Sequence, residues 1–581
     1  MLVNVKINNM EFQEDSSLTI LQVAKKHGIR IPNLCYMMKE EVGLEHKPAS
    51  CRVCVVEVKG RRNLIPACST NIANGMEIFT HSERVRRERR TIVELLLSDH
   101  PHDCLTCGKC GHCELQDLSV ELGIKKLYIT GPMSQENVDV DEKSLRRNAS
   151  KCILCGKCIA VCDHVQSVGA ISATNRGFGT KISLPHDCVN CGQCVQVCPT
   201  GALLQTDDTR TIEKLLADPT KYVVVNTAPA VRVALGEEFG MAPGTNVTGK
   251  MITALRMMGF KKVFDTNFAA DLTIMEETTE FVNRLKQGKN LPLITSCCPG
   301  WISFVETQYP EMLNLPSTCK SPQEMFGAIA KTYFAQKEGI DPKDIVVASL
   351  MPCIAKKQEL KREEGMFDGM HGTDFAMSAK CFAKLMRRCG IDNLANLPDG
   401  QFDDPLGAST GASDIFGNSG GVMEAVVRTA SYWMTGEMPK SVEFHGVFGA
   451  QNTREAYVNI GEDVKLHLCV VSGLANARKV LEDVKSGKVH YDAIEVMACP
   501  GGCVNGGGQP INKHYEQKDV IAMRKEGLRN IDRNKAIRVS CENPAIKTLY
   551  AEFLGEPNSQ LAHKLLHTHY TNKQQTFEED K

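Results

Sequence analysis

A four-cysteine run, C-x2-C-x2-C-x3-C, constrains this chain most, because it occurs twice between residues 152 and 198. This spacing holds two [4Fe-4S] clusters, and the fourth cysteine of each run ligates the other cluster. The predicted ligand sets are therefore Cys152, Cys155, Cys158 and Cys198 for one cluster, and Cys188, Cys191, Cys194 and Cys162 for its neighbour. Structural zinc is the weaker alternative.

The total of 26 cysteines favours metal ligation over disulfides, because the first residues lack the features of a secretory signal. We therefore expect a cytoplasmic protein. The 68 basic and 69 acidic residues leave a net charge of -1, so no overall field favours nucleic acid. No stretch approaches the roughly 18 consecutive apolar residues that a membrane span needs.

The N-terminal segment predicts a small β-grasp domain. Val3, Val5 and Ile7 alternate with polar residues, and Asn8-Asn9 predicts a turn. The following SSLTILQVAKKHG predicts a helix with serine caps, and CRVCVVEVKG predicts a further strand.

Residues 83–98 predict a helix with an apolar side and a basic side. The basic side carries Arg84, Arg86, Arg87, Arg89 and Arg90. A solvated helix face is the simpler interpretation, and a docking patch for an acidic electron carrier is the alternative.

From about residue 210, apolar strand-like segments alternate with helical ones, which indicates an α/β domain with partly parallel sheets. Cysteine motifs follow two of these segments, LPLITSCCPG and DIVVASLMPC. Ligands of α/β proteins usually bind where strands end, so we expect a site there.

Cys35, Cys51, Cys54 and Cys68 form one further motif, and His100, Cys104, Cys107 and Cys113 form another. Both resemble the N-terminal modules of complex I large subunits and long [FeFe]-hydrogenases. The first, with a zinc site as its alternative, implies a [2Fe-2S] cluster on Cys35, Cys51, Cys54 and Cys68. The second implies a [4Fe-4S] cluster on His100, Cys104, Cys107 and Cys113. His102, His112 and Cys110 are nearby competitors, and Cys110 is expected to stay free because the family register fits only that way.

Three distal motifs, TSCCPGW, MPCIAKKQE and EVMACPGGCVNGGGQP, resemble the signatures of [FeFe]-hydrogenases, and the resemblance spans essentially the whole chain. It implies reversible formation of H2 from two protons and two electrons at an H-cluster. The implied ligands of its [4Fe-4S] part are Cys298, Cys353, Cys499 and Cys503, with Cys503 bridging to the diiron part. Maturation proteins supply the diiron unit with its CO, cyanide and azadithiolate.

The resemblance also implies a pocket and a proton relay. The pocket residues are Ala228, Pro229, Ala230, Gln323, Met351, Phe416 and Met497, with Lys356 directed at an anionic ligand. Relatives often carry serine at the position of Ala230, so we expect one hydrogen bond fewer to a cyanide.

The relay residues are Cys297, Glu277, Ser317, Glu280 and Arg284. For Lys356 the alternative is a surface lysine, and for Glu277, Glu280 and Arg284 it is a solvent-facing acidic helix. The glycines at 501, 502, 506, 507 and 508 are expected to let backbone approach a bulky cofactor.

The predicted fold is multidomain α+β and α/β. Its domains are a β-grasp [2Fe-2S] domain (1–80), a histidine-ligated [4Fe-4S] domain (81–141), a ferredoxin-like domain with two [4Fe-4S] clusters (142–209), a two-lobed α/β H-cluster domain (210–515) and a small-subunit-like helical segment (516–581). Competing interpretations are a complex I or formate-dehydrogenase type subunit, which would lack TSCCPGW, and an iron-sulfur assembly protein or redox sensor, whose motifs would be degraded.

The expected electron partner is ferredoxin, or a flavin-containing NAD(P)-binding complex-I-like subunit of a possible electron-bifurcating complex. GFGTK at 177–181 lacks the glycine pattern of a dinucleotide site, so flavin or nicotinamide is expected on a partner. We also expect oxygen sensitivity.

Overall fold

The computed structural model describes residues 1–184, 187–439, 444–447, 452–461 and 464–574, which divide into two compact units. The N-terminal unit comprises Met1–His164, Gly169–Cys188 and Cys194–Leu204. The C-terminal unit comprises Val165–Val168, Val189–Gln193 and Gln205–Lys581. In the described ranges, no helix has the length and apolar character needed to cross a bilayer.

The N-terminal unit is built from short strands and five helices. Its strands are β1 (Leu2–Ile7), β2 (Met10–Asp15), β3 (Met37–Lys39), β4 (Leu44–His46), β5 (Val55–Val58), β6 (Ile65–Pro66), β7 (Met76–Phe79), β8 (Val140–Glu142), β9 (Leu145–Arg147), β10 (Ser172–Thr174), β11 (Lys181–Ser183) and β12 (Leu203–Gln205). The helices are α1 (Ile20–Lys26), α2 (Glu83–Ser98), α3 (Glu114–Glu121), α4 (Lys157–Ala160) and α5 (Gln193–Val197).

The first sheet has the order β2-β1-β7-β5-β6, with β1 antiparallel to β2 and parallel to β7. Asn8 and Asn9 join β1 to β2 with φ values of 48° and 70°, a conformation that asparagine tolerates better than most residues. Val3, Val5 and Ile7 are buried in one core with residues of α1. The predicted strand, turn, strand and helix are all present.

The N-cap of α1 is Thr19, so the predicted serine cap is wrong. The Thr19 hydroxyl accepts a hydrogen bond from the Gln22 N–H at 3.2 Å, and the Gln22 side chain accepts one from the Thr19 N–H at 2.8 Å. This reciprocal capping box stabilises the first turn. The helix begins at Ile20 because the apolar residues that face the sheet begin there.

The predicted strand CRVCVVEVKG is shorter than expected, since β5 begins only at Val55. Arg52 has a φ of 59°, which is left-handed and incompatible with a strand. Cys51 and Cys54 therefore lie in the loop that precedes β5.

The C-terminal unit contains two sheets covered by helices. Its strands are β13 (Tyr222–Thr227), β14 (Lys262–Asp265), β15 (Leu293–Ile294), β16 (Ile345–Met351), β17 (Phe375–Ser378), β18 (His445–Gly446), β19 (Thr453–Ile460), β20 (Val464–Ser472) and β21 (Ala493–Met497). The helices are α6 (Thr209–Ala217), α7 (Thr248–Met257), α8 (Thr266–Gln287), α9 (Pro299–Gln308), α10 (Pro322–Ile329), α11 (Ala335–Glu338), α12 (Ala355–Glu359), α13 (Ala379–Arg388), α14 (Gly411–Asp414), α15 (Gly421–Thr435), α16 (Leu474–Lys485), α17 (Gln517–Asn534), α18 (Pro544–Leu549) and α19 (Gln560–Leu566).

The two sheets confirm the predicted α/β architecture with partly parallel strands. The first, β14-β13-β16-β17, is entirely parallel. In the second, β15-β21-β20-β19-β18, the strands β15, β21 and β20 are parallel and the last two are antiparallel. Every residue of β16 is buried, as expected for a parallel strand with both faces covered.

The parallel strands place the distal motifs. The Ala228 segment follows β13, the Cys297 motif follows β15, the Cys353 motif follows β16 and the Cys499 motif follows β21. All four are therefore at the carboxyl ends of strands, where ligands of α/β folds bind. Helices α18 and α19 share a hydrophobic core with α10.

Candidate active site

A cavity lies at the ends of these strands in the C-terminal unit. All seven predicted pocket residues line it, namely Ala228, Pro229, Ala230, Gln323, Met351, Phe416 and Met497. The four predicted ligand cysteines line it too, namely Cys298, Cys353, Cys499 and Cys503, together with Cys297 and Lys356. The fold therefore brings together residues that are up to 275 positions apart in the sequence, from 228 to 503.

The four cysteines are suited to an iron cluster. Burial raises the pKa of each thiol, and neighbouring cysteines contribute to the rise for Cys353, which reaches about 11, and for Cys499 and Cys503. Four thiolates at such a site need a bound cation to offset burial and mutual repulsion. The donor set thus fits a [4Fe-4S] group, for which four cysteine thiolates are the usual ligands.

The glycines of the third motif permit close contact between loops. A Cβ on Gly506 would lie 2.3 Å from the Pro352 carbonyl oxygen, and one on Gly502 would lie 2.5 Å from the Ser419 nitrogen. A Cβ on Gly507 would meet the Cys191 carbonyl oxygen at 2.8 Å. We expected these glycines to let the backbone approach a cofactor. They also let the backbone of one loop contact the backbone of another, so that expectation is incomplete.

Lys356 is buried on α12 and is not a surface lysine. Its Nζ donates to the Glu359 carboxylate at 2.9 and 3.1 Å and to the Cys297 carbonyl oxygen at 3.2 Å. Burial acts to lower the pKa of Lys356, but Glu359 and the nearby Cys297 and Cys353 outweigh it, so the pKa is raised. The ammonium is held in its charged form at the cavity wall.

Gln323 reaches the cavity from α10. Its Nε2 donates to the Lys356 carbonyl oxygen at 3.2 Å and to Glu359 at 3.0 Å. Its buried Oε1 has no hydrogen-bond partner among the described residues. Buried polar atoms usually find partners, so this oxygen fits a cavity that holds a further group.

The five predicted relay residues form a chain that begins at the cavity. Cys297 is next to the predicted ligand Cys298, and burial, followed by the charge of Glu277, raises the pKa of its thiol. The Glu277 carboxyl is 2% exposed, and burial followed by the charge of Glu280 raises its pKa to about 8. The Ser317 hydroxyl lies within hydrogen-bonding reach of Glu277.

The same hydroxyl donates to Glu280 Oε2 at 2.7 Å. Glu280 Oε1 accepts from Arg284 Nη2 at 2.6 Å. Because the side chains of Glu277 and Arg284 are buried on α8, the alternative of a solvent-facing acidic helix is wrong. The polar chain thus continues from the cavity to Arg284 through groups that can hold or pass a proton.

The N-terminal unit gathers the four cysteines of the predicted [2Fe-2S] site. All four are buried, and hydrogen-bonding contacts between thiols join Cys51 to Cys35, Cys35 to Cys68, and Cys68 to Cys54. Four clustered sulfurs without disulfides fit the donor set of such a cluster.

A second cavity lies in the same unit. It is lined by Cys152, Cys155, Cys158 and Cys198. The fold therefore assembles three cysteines of the first run with the fourth of the second, as the crossed pattern predicts. Of the other set, Cys162, Cys188 and Cys194 belong to the N-terminal unit and Cys191 to the C-terminal unit.

The histidine motif follows α2. The Nδ1 atom of His100 is buried and has no hydrogen-bond partner among the described residues, and burial lowers the pKa of this imidazole to about 4. A neutral imidazole is the form that ligates metal. His102 is exposed, and its Nε2 lies 3.0 Å from the Leu97 carbonyl oxygen. The environment thus favours His100 over His102.

Five family models match the chain. They are the 2Fe-2S iron-sulfur cluster binding domain (1–83), the NADH-ubiquinone oxidoreductase-G iron-sulfur binding region (89–127), the 4Fe-4S dicluster domain (151–202), the iron only hydrogenase large subunit, C-terminal domain (221–507), and the iron hydrogenase small subunit (518–573).

Individual proteins extend this similarity over the full length. The chain is 49% identical to the NADP-reducing hydrogenase subunit HndD of Solidesulfovibrio fructosivorans, over 99% of both chains. The chain belongs to the iron-only hydrogenase family. Iron hydrogenase 1 of Clostridium pasteurianum is 37% identical over 97% of this hydrogenase and 99% of its own chain. The structure of a variant apo [FeFe]-hydrogenase HydA1 from Chlamydomonas reinhardtii, 38% identical, matches 64% of this chain and all of its own with a TM-score of 0.58.

The predicted family, enzyme class and fold class are thereby confirmed: the protein is an iron hydrogenase with iron-sulfur clusters and an H-cluster. The interpretation as a complex I type subunit is wrong, because that similarity is confined to an accessory region.

Sequence reasoning missed several residues of this hydrogenase. Glu359 binds Lys356, and its i+3 spacing on one helix could have identified the pair. Glu280, Cys319 and His567 lie close together. A carboxylate oxygen, the thiol sulfur and an imidazole nitrogen are all within 4.8 Å of one another. No local spacing relates His567 to α8, so only the tertiary structure reveals this contact.

Proposed function

We propose that this cavity holds the H-cluster, with Cys298, Cys353, Cys499 and Cys503 as ligands of its [4Fe-4S] part and Cys503 bridging to the diiron unit. The observation that carries the proposal is the convergence of these four cysteines, Cys297 and Lys356 on one cavity at the strand ends. When bound, the cluster supplies iron that exchanges two electrons with protons or H2. Maturation proteins would supply the diiron unit.

The surrounding side chains would position this group and exclude water. The Lys356 ammonium, held by Glu359, can donate to an anionic ligand such as cyanide. Gln323 presents an unpartnered oxygen to the same region, while Met351, Phe416 and Met497 are apolar. Because position 230 is alanine, no hydroxyl is available there, and more of the anion binding would rest on Lys356.

The relay would carry protons between Arg284 at its outer end and Cys297 at the cavity. The Cys297 Sγ would hold the proton nearest the reaction. Glu277 is suited to exchange with it, because a pKa of about 8 leaves the carboxyl mostly protonated at neutral pH while its ionised form stays accessible. Ser317 and Glu280 connect Glu277 to Arg284 through contacts of hydrogen-bond length.

The accessory clusters would be one [2Fe-2S] and three [4Fe-4S], on the predicted cysteine and histidine sets. The domain boundaries proposed from the sequence assign the [2Fe-2S] cluster to residues 1–80, one [4Fe-4S] cluster to 81–141 and the other two to 142–209. Clustered thiols, the crossed-cysteine cavity and the unpartnered His100 nitrogen support this inventory. These clusters would carry electrons between the catalytic cavity and an external partner.

A partner that binds NADP(H) is favoured over ferredoxin alone, and it would carry any flavin in a cytoplasmic complex. The supporting observation is the full-length similarity to a subunit named as NADP-reducing. The described chain between β10 and β11 forms a short hairpin around GFGTK, which is not the strand-helix context of a dinucleotide site.

Infrared spectroscopy of matured protein tests the active site. We expect CO and cyanide bands in the parent, their loss in Cys503→Ser, and their retention in Cys469→Ser, which changes a buried cysteine outside the cavity. Ala230→Ser should shift the cyanide bands. Retention of the full set of bands in Cys503→Ser would contradict the ligand assignment.

Purification from the native host tests the partner. We expect copurifying subunits with flavin, and H2-dependent reduction of NADP by the complex. Comparing this rate with and without oxidised ferredoxin would reveal a bifurcating reaction. Reduction of ferredoxin alone, by a chain that purifies without other subunits, would contradict the NADP-linked proposal.

A further inference from the structure

Helix α2 presents a buried arginine on its apolar side. Val85, Arg89 and Val93 recur at four-residue spacing and form the buried face of the helix. Arg89 is 5% exposed, whereas Arg86, Arg87 and Arg90 are exposed. The prediction that Arg89 belongs to the exposed basic side is therefore wrong, because its position in the 3.6-residue repeat turns it toward β5.

The Arg89 guanidinium lies beside the [2Fe-2S] cysteines. Its Nη2 donates to the Val55 carbonyl oxygen at 2.8 Å. Val55 directly follows Cys54, and the Cys54 sulfur is close enough for its negative charge to raise the pKa of Arg89. Cys54 is joined through Cys68 to the rest of the thiol cluster.

No carboxylate neutralises this charge by direct contact. Among the described residues Arg89 forms no ion pair, and its buried Nε has no hydrogen-bond partner. Glu121 attracts Arg89 at longer range without direct contact. Its carboxylate pairs instead with Arg30 at 2.6 Å. Burial lowers the pKa of Arg89 to about 10, so the group remains charged at neutral pH.

A buried charge is destabilising unless an opposite charge compensates it. The sulfurs of Cys35, Cys51, Cys54 and Cys68 are the anionic group available when they ligate iron. We propose that Arg89 is the counter-charge of this [2Fe-2S] cluster and raises its reduction potential. The inference rests on the proposed ligand set.

The direction follows from the charge of the cluster. Reduction adds one electron, and so one negative charge, to a group that already carries net negative charge from four thiolates. A nearby positive charge therefore stabilises the reduced form more than the oxidised form, and cluster potentials respond to net charge in this way. Arg89 would thus favour residence of an electron on this cluster during transfer to or from the partner.

Redox titration of the full-length holoenzyme, followed by electron paramagnetic resonance of the [2Fe-2S] signal, tests the proposal. Arg89→Gln removes the charge and keeps a donor for the Val55 carbonyl, and Arg89→Met removes both. We expect a shift to more negative potential in both variants. If one variant does not assemble the cluster, the potential measured in the other variant is compared with that of the parent.

Arg90→Gln is the matched control. It removes the same charge from the adjacent position, where the exposed guanidinium donates to the Leu122 carbonyl oxygen at 3.0 and 3.2 Å. Solvent screens an exposed charge, so we expect a much smaller shift than in Arg89→Gln. Arg89→Lys retains a positive charge and should restore most of the parental potential.

The outcomes separate this proposal from the ligand assignment. An unshifted signal in Arg89→Gln, or an equal shift in Arg90→Gln, overturns the role of Arg89 alone. A shift that Arg89→Lys does not reduce also overturns it, since packing would then be responsible. Absence of any [2Fe-2S] signal in the parent holoenzyme overturns the ligand set together with this inference.

Discussion

At the scale of single residues, the proposed proton delivery depends on Cys297, which is half-buried at the cavity beside a predicted cluster ligand. Alanine cannot hold a proton at this position. We expect Cys297→Ala to lower H2 turnover by on the order of 10²–10⁴, the range a positioned acid–base group contributes. The CO and cyanide infrared bands should remain.

Cys469→Ala is the matched control for this substitution, because Cys469 is buried and does not line the cavity. Its turnover should stay closer to that of the parent. Near-normal turnover in Cys297→Ala would contradict the assignment of the terminal proton donor.

Glu277 should titrate within the working pH range of the enzyme. Burial, and then the charge of Glu280, raises its pKa from 4.5 to about 8. The folded protein therefore keeps a proton that the unfolded chain releases above about 4.5, so the stability contributed by Glu277 is present below that pH and is lost as the pH rises to about 8.

Infrared difference spectra between pH 6 and pH 9 measure this titration. We expect loss of a protonated-carboxyl band in the parent, with a midpoint near 8, and no such band in Glu277→Gln. Glu338→Gln, at an exposed carboxyl, should leave the band unchanged. A carboxyl band that persists in Glu277→Gln would assign the titration to another residue.

At the scale of elements, the active site is a set of loops at strand ends that must approach one another closely. The loop after β21 touches the loop after β16, where a Cβ on Gly506 would lie 2.3 Å from the Pro352 carbonyl oxygen. Backbone cannot yield as a flexible side chain can. The separation of the two cysteine-bearing loops therefore depends on glycine at this position.

Gly506→Ala should push these loops apart. We expect a loss of stability of about 1–3 kcal/mol, typical of overpacking, and reduced retention of the H-cluster by infrared bands and iron content. Gly446→Ala is the control, because a Cβ there meets nothing within 4 Å. Full cluster content with unchanged thermal stability in Gly506→Ala would show that the loops can relax.

At the scale of the whole molecule, the C-terminal unit carries the catalytic cavity, and the predicted accessory-cluster ligands belong to the N-terminal unit except for Cys191. Exchange of H2 with D2O needs the catalytic site and protons but no external electrons. In the proposed function, electron transfer to a partner would need the accessory clusters as well. The two activities should therefore separate in suitable variants.

Cys155→Ser should remove a ligand from the crossed-cysteine cavity. We expect H2-dependent acceptor reduction to fall strongly, while H2/D2O exchange and the infrared bands persist. Cys297→Ala should lower both activities, and it serves as the comparison. Equal loss of exchange in Cys155→Ser would mean that this cavity also supports catalytic-site assembly.

Much of this protein could be predicted from local patterns. Cysteine spacing predicted cluster chemistry because ligands of one cluster often lie within a single loop. Alternation at Val3, Val5 and Ile7 predicted β1, and the helical spacing of Glu277, Glu280 and Arg284 placed them on one side of α8. The three distal motifs indicated the family, which the full-length similarity confirms.

Tertiary structure decided what local pattern leaves open. In the sequence Arg89 is one of several basic residues, but its position on the helix buries it beside Cys54. Thr19 caps α1 because the buried face of that helix begins at Ile20. Contacts between distant segments, such as His567 with Glu276 at 3.1 Å, have no sequence period. The sequence by itself therefore determined the donor types and the family, whereas packing decided which groups are buried, which are charged and which meet at the cavity.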